Sequence, residues 1–78
     1  MAKTGSLILK LGSRLRELRL AKGYSQEGFA DIAKVDRAGY GRIERGEVDL
    51  RLSTLERLAK ALKMPIADFF IDKATKAK

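Results

Sequence analysis

The chain has 78 residues, 17 of them lysine or arginine and 10 aspartate or glutamate, for a formal net charge of +7. It contains neither histidine nor cysteine, which excludes disulfide staples, thiolate and imidazole metal sites, and nucleophilic or acid–base devices built on those side chains. This length holds one small domain, the pI near 10.1 points to a polyanionic partner, nucleic acid before membrane surface, and no apolar run approaches the ~18 residues of a membrane span.

The charge is uneven. Residues 1–23 carry six basic and one acidic residue, residues 24–50 four and six, and residues 51–78 seven and three. The middle of the chain is slightly acidic, so an anion-binding surface there depends on where individual side chains project. The ten acids form no clustered pair suited to general acid–base work. No enzyme activity, cofactor, metal or small-molecule ligand is expected, and the expected setting is the cytoplasm.

In the first segment Ile8, Leu11, Leu15 and Leu18 recur at helical spacing, and Gly23 supplies a stop signal, predicting a helix over about residues 7–22. Ser25 is a good N-cap for a short second helix whose Phe29, Ile32 and Ala33 share one face. Lys34-Val35 makes a brief connection. Asp36 then caps a third helix over Arg37 to Arg45, which Gly46 terminates. Leu52, Leu55, Leu58, Ala59 and Leu62 mark a fourth amphipathic helix starting at Leu52 or after Ser53, and Ser53 to Glu56 has the spacing of a capping box. Pro65 opens a last short helix containing Ile66, Phe69 and Phe70. The segment from Asp72 to Lys78 has nothing to bury and is expected to be a disordered basic tail; residues 1–6 are expected to be a flexible lead. No internal repeat, strand-period alternation or domain linker is visible.

Two short helices joined by a tight turn form a unit whose second helix can enter a DNA major groove. At about 100° per residue, with Arg37 as origin, Ile43 falls at about 240° and Tyr40 at about 300°, which sets the buried side. Opposite lie Gly41 at about 40°, Arg45 at about 80°, Ala38 at about 100° and Arg42 at about 140°. Small residues let a backbone approach the groove floor, and arginine can donate two hydrogen bonds to guanine or pair with phosphate. A merely solvated basic face is the plainer alternative. Against it, Gly39 and Gly41 cost about 1 kcal/mol each relative to alanine inside a helix, which calls for a reason such as close approach of another group.

Taken together, Arg14-Leu15-Arg16-Glu17-Leu18-Arg19, Tyr24-Ser25-Gln26-Glu27, Arg42-Ile43-Glu44-Arg45-Gly46 and Thr54-Leu55-Glu56-Arg57-Leu58-Ala59-Lys60-Ala61-Leu62 resemble the lambda-repressor-like, or XRE-type, helix-turn-helix family from about Leu11 to Phe70. The resemblance implies an all-α, five-helix lambda-repressor-like helix-turn-helix domain over residues 7–71. It also implies that Gln26 touches DNA backbone and braces the reading helix. Arg37 and the small residues Ala38, Gly39 and Gly41 would face bases, Arg42 a base or phosphate, and Arg45 a phosphate. Arg19 and Glu44 match a pair that family members bury to hold the reading helix in orientation.

The chain departs from the family at Gly39 and Gly41, where serine or threonine is usual, and at Glu47-Val48-Asp49, where basic residues or asparagine often follow the terminal glycine. Tyr40 replaces a usual valine or isoleucine and is read as a core residue with its hydroxyl at the rim. The implied function is a sequence-specific transcriptional regulator that binds a roughly palindromic operator as a homodimer. Ile66, Phe69, Phe70 and Ile71 are the candidate dimer contact. Stand-alone members of the family include phage repressors, restriction-modification controller proteins and antitoxins. The alternative is an antitoxin-type interaction module with secondary DNA binding.

Overall fold

The computed structural model describes residues 3–70, with side chains from Leu7 onward. Four α-helices follow one another, α1 (Lys3–Ala21), α2 (Gln26–Ala33), α3 (Arg37–Glu44) and α4 (Leu52–Leu62), and a 3-10 helix closes the described chain at Ile66–Phe70. No strand occurs among the described residues.

The helices start and stop where local chemistry dictates. The Ser25 hydroxyl accepts a hydrogen bond from the Gly28 amide, and the Asp36 carboxylate one from the Gly39 amide, both at 2.9 Å. Each satisfies a donor that the first helical turn leaves unpaired. At the other end, α1 closes with the Tyr24 amide reaching back to the Arg19 carbonyl and Gly23 at φ +83°. Likewise α3 closes with Glu47 reaching Arg42 and Gly46 at φ +73°. These are Schellman closures, which require one left-handed residue. The same closure ends α2 and α4, but there Lys34 (φ +62°) and Lys63 (φ +58°) take the left-handed position, and a side chain with a Cβ is strained there.

Leu15 of α1, Phe29, Ala30 and Ala33 of α2, Tyr40 and Ile43 of α3, Leu55, Leu58, Ala59 and Leu62 of α4, and Phe69 of the 3-10 helix make one core. The Phe29 ring stands edge-on to Tyr40 at a centroid distance of 5.3 Å and tilted to Tyr24 at 5.6 Å, geometries that aromatic quadrupoles favour. Helix α2 packs on α3 and α4, while α1 packs on α3 and the 3-10 helix. Gly12 permits a close crossing. A Cβ there would lie 2.5 Å from the Ile43 carbonyl oxygen and 2.6 Å from that of Glu44, so α1 meets the C-terminal end of α3 backbone to backbone.

Several details differ from the sequence reading. The first helix begins at Lys3 rather than residue 7, so the proposed flexible lead over 1–6 is helical from Lys3 on, and it ends at Ala21. The third ends at Glu44 with Arg45 as its cap. The last element is a 3-10 helix, with Pro65 just before it. The Ser53–Glu56 capping box does not form, because α4 is already helical from Leu52 and Arg51 occupies the cap without a side-chain hydrogen bond. Ile32 is half exposed and Leu52 is 73% exposed, leaving Ala30 to join Phe29 and Ala33 in the core. The tail over 72–78 lies outside the described residues.

Candidate nucleic-acid interface

The reading helix of the sequence argument is α3, and what holds it is a buried polar knot around Glu44. Arg19 of α1 donates from Nε (2.6 Å) and Nη2 (3.2 Å) to the two Glu44 carboxylate oxygens. Gln26, the first residue of α2, donates from Nε2 at 2.9 Å. Tyr40, one turn earlier on α3, donates its hydroxyl. Arg19 also donates from Nη1 to the Tyr24 carbonyl at 2.8 Å, tying the α1–α2 turn to the same group.

Arg19 and Glu44 are both buried, so the charges are removed from water and held by mutual hydrogen bonds. Burial alone works against the Glu44 charge, but the bonds from Arg19, Tyr40 and Gln26 outweigh it and keep the carboxyl below the ordinary glutamate range. Burial, reinforced by the bond to Glu44, pushes the Tyr40 hydroxyl far above the usual tyrosine range, so it remains a donor. Three helices thus meet on one carboxylate, which ties α3 to both α1 and α2.

The other side of α3 faces solvent. Arg37, Ala38, Arg42 and Arg45 are exposed and Gly39 is half-buried. Arg37 donates from Nε (3.2 Å) and Nη2 (2.9 Å) to Asp31 near the end of α2. Arg45 donates from the same two nitrogens, at 3.0 and 3.3 Å, to Glu47 just beyond the helix. The hydrogen bond from Arg37 lowers the Asp31 pKa, and that from Arg45 lowers the Glu47 pKa, so all four groups are charged at neutral pH. What the surface can do chemically is donate: three guanidinium groups on one helix can meet phosphate oxygens or guanine edges.

The structure brings Gln26, Arg37, Ala38, Gly39, Arg42 and Arg45 to this face or its rim, and it buries the Arg19–Glu44 pair as the resemblance implied. Two placements are corrected. Gly41 is buried rather than exposed, because the Gln26 and Arg45 side chains lie over it; a Cβ would sit 3.5 Å from Gln26 Oε1 and 3.3 Å from Arg45 Nη1. The close approach that its missing side chain permits is therefore made by the protein itself. The Tyr40 hydroxyl is not at the rim, since the whole residue is buried and points at Glu44.

Of the candidate dimer residues, Phe69 belongs to the core, Ile66 is half-buried against it and Phe70 is 53% exposed. Ile71 lies outside the described residues. Sequence reasoning missed the acidic partners Asp31 and Glu47 and the close-packed Gly12. The Tyr40–Glu44 spacing of four residues was a usable signal for the hydroxyl bond; the six-residue Asp31–Arg37 separation across a turn gave none.

The helix-turn-helix family profile matches residues 15–69, and the chain belongs to that family, whose members are DNA-binding regulators rather than enzymes. A solved structure similar to it is the restriction-modification controller protein C.AhdI from Aeromonas hydrophila, with 42% identity and a TM-score of 0.81 over 83% of this chain and 98% of that one. Control protein C.MunI from a Mycoplasma species is 34% identical over 82% of this chain and 88% of its own length. The uncharacterized prophage-derived transcriptional regulator YonR of Bacillus subtilis is 43% identical over 65% of this chain; the chain spans 47% of YonR.

Proposed function

We propose that the protein is a sequence-specific transcriptional regulator that acts in the cytoplasm and binds a roughly palindromic operator as a homodimer with α3 in the major groove. The observation that carries this reading is the exposed arginine face of a helix whose opposite side is locked by the Glu44 knot. A reading head needs both donors and a fixed orientation. Arg37, in the first turn, addresses a base edge, since recognition helices lead into the groove with their N-terminal residues. Ala38 and Gly39 let the backbone come close, Arg42 meets a base or phosphate, and Arg45 meets phosphate. Gln26, at a helix start with unpaired amides, contacts the DNA backbone while bracing Glu44. The similarity to two controller proteins and a prophage regulator supports a role of this kind. Exposed Phe70, with Ile66 beside the core, offers the apolar part of a subunit contact.

The experiment is to select the operator from random DNA and measure binding of the protein, Arg37→Ala and Arg45→Ala to it and to single-base variants at several salt concentrations. Arg37→Ala should relax preference at one base pair at a cost of about 1–3 kcal/mol, while Arg45→Ala should weaken all sequences alike and reduce the salt slope by about one. Loss of neither would remove α3 as the reading helix. Sedimentation of the complex should give two chains on an operator with half-sites roughly 34 Å apart; one chain per operator would end the dimer reading.

A further inference from the structure

The interface contains acids where a DNA-binding surface has reason to avoid them, and the bond pattern at Asp31 suggests what one of them does. Asp31 Oδ1 accepts from Arg37 Nε at 3.2 Å and Oδ2 from Nη2 at 2.9 Å, so the carboxylate grips one edge of the guanidinium fork with two bonds. A guanidinium has five N–H donors in a fixed plane. The grip uses one on Nε and one on Nη2. The second Nη2 hydrogen and the parallel one on Nη1 remain, and these form the end-on edge that pairs with guanine O6 and N7.

Both side chains are more than half exposed. As a surface ion pair the contact contributes little to stability, and its position matters more. Asp31 belongs to α2 and Arg37 is the first residue of α3, so the grip fixes the plane of the leading arginine relative to both helices of the motif. A free arginine side chain has many rotamers to lose on binding, and a pre-set fork loses fewer of them. The carboxylate also repels phosphate, which disfavours non-specific docking of the same helix.

We propose that Asp31 is a specificity-determining positioning residue: by holding Arg37 along its Nε/Nη2 edge, it presents the Nη1/Nη2 edge to a guanine in the major groove. The inference rests on α3 being the reading helix. Asp31 does not itself touch the base. It acts through Arg37, and its removal therefore changes selectivity at one position more than affinity overall.

The test compares the full chain with Asp31→Asn, Asp31→Glu, Arg37→Ala and the Asp31→Asn/Arg37→Ala double variant, on the selected operator and its single-base variants, with thermal unfolding as a check on the fold. Asp31→Asn should reduce preference at the base pair that Arg37 reads by about two- to fivefold, the range an exposed ion pair supports, and leave the other positions unchanged. Asp31→Glu should restore part of the preference, and Asp31→Asn should have no effect on it in the Arg37→Ala background. A uniform change across all sequences, or the same loss with and without Arg37, would overturn the proposal. If Arg37→Ala relaxes one position and Asp31→Asn does not, the positioning role alone fails. If Arg37→Ala leaves every position unchanged, the reading of α3 fails and takes this inference with it.

Discussion

The third helix takes part in two kinds of arginine–carboxylate contact, similar in distance and different in surroundings. On its inner side Glu44 meets Arg19 at 2.6 Å, with side chains 2% and 7% exposed. On its outer side Arg37 meets Asp31 at 2.9 Å and Arg45 meets Glu47 at 3.0 Å, with all four side chains at least half exposed. The distances are alike, yet water screens the outer pairs and is excluded from the inner one. Breaking a buried pair strands a charge in a poorly polarisable interior, whereas breaking a surface pair returns both ions to solvent. The inner contact therefore holds the fold, while the outer ones orient guanidinium groups at the surface without holding it, which suits a helix that is fixed toward the protein and presents donors toward solvent.

The largest expected effect is at the inner pair. Arg19→Ala or Glu44→Ala should destabilise by roughly 3–5 kcal/mol in chemical unfolding, and a double-mutant cycle should return a coupling well above 1 kcal/mol. Coupling near zero would erase the contrast between the two sides.

The same pair governs acid sensitivity. The folded Glu44 pKa lies below the ordinary glutamate value, held there by the bonds from Arg19, Tyr40 and Gln26 against the cost of burial, so the unfolded chain takes up the proton first as pH falls. The stabilisation is present in full above that value and is lost as pH drops through the folded pKa. Unfolding midpoints measured from pH 7 downward should fall in acid, and Glu44→Gln should flatten that limb. An unaltered acid limb would show that other carboxylates set it.

A third effect sharpens the comparison through the backbone. Gly12→Ala places a methyl group 2.5 Å from the Ile43 carbonyl oxygen, so α1 must shift away from the end of α3. A loss of about 1–3 kcal/mol is expected from such overpacking, read by thermal unfolding; an unchanged midpoint would show that the crossing is loose.

On the outer side there is room. At Gly39 an added Cβ would meet only the Asp36 side chain, at 3.5 and 3.7 Å, which is ordinary contact. Gly39→Ala should therefore stabilise the free protein by up to about 1 kcal/mol through helix propensity. If Gly39 approaches DNA, the same variant should weaken operator binding; a gain in stability with unchanged binding would remove Gly39 from the interface. Smallest of all, Asp31→Asn and Glu47→Gln should each change stability by less than about 0.5 kcal/mol. A larger loss in denaturant titrations would mean that the outer pairs, too, hold the fold.

Helix existence and order were readable because they rest on local chemistry. Ser25 and Asp36 announce helix starts through their side-chain oxygens, and Gly23 and Gly46 announce helix ends through their freedom to turn left-handed. Lys34 and Lys63 end helices in the same geometry without announcing it, since nothing about a lysine marks it for that backbone; the surrounding packing imposes the strain. The capping-box spacing at Ser53 misled for the converse reason, a favourable local pattern overridden by a helix that already starts at Leu52. The 3.6-residue wheel placed Arg37, Ala38, Arg42 and Arg45 outward correctly, but it could not place Gly41, because side chains from another helix and from its own C-terminal turn cover it.

The amino-acid sequence by itself determined an all-helical chain, the order of its elements, the basic outer arc of the third helix and, by family resemblance, the Arg19–Glu44 pair. All but that pair, whose partners lie 25 residues apart, follow from residue type and short-range spacing, which act through bonds within a turn or two of the backbone. Only the tertiary structure decided that Gly12 brings α1 onto the carbonyls of α3, that Tyr40 and Gln26 complete the knot at Glu44, and that Asp31 and Glu47 grip the outer arginines. Apart from the four-residue Tyr40–Glu44 spacing on one helix, those contacts join groups whose sequence separation or direction carries no local signal. They come into being when the core around Phe29, Tyr40 and Leu58 closes and sets the angle at which the helices meet.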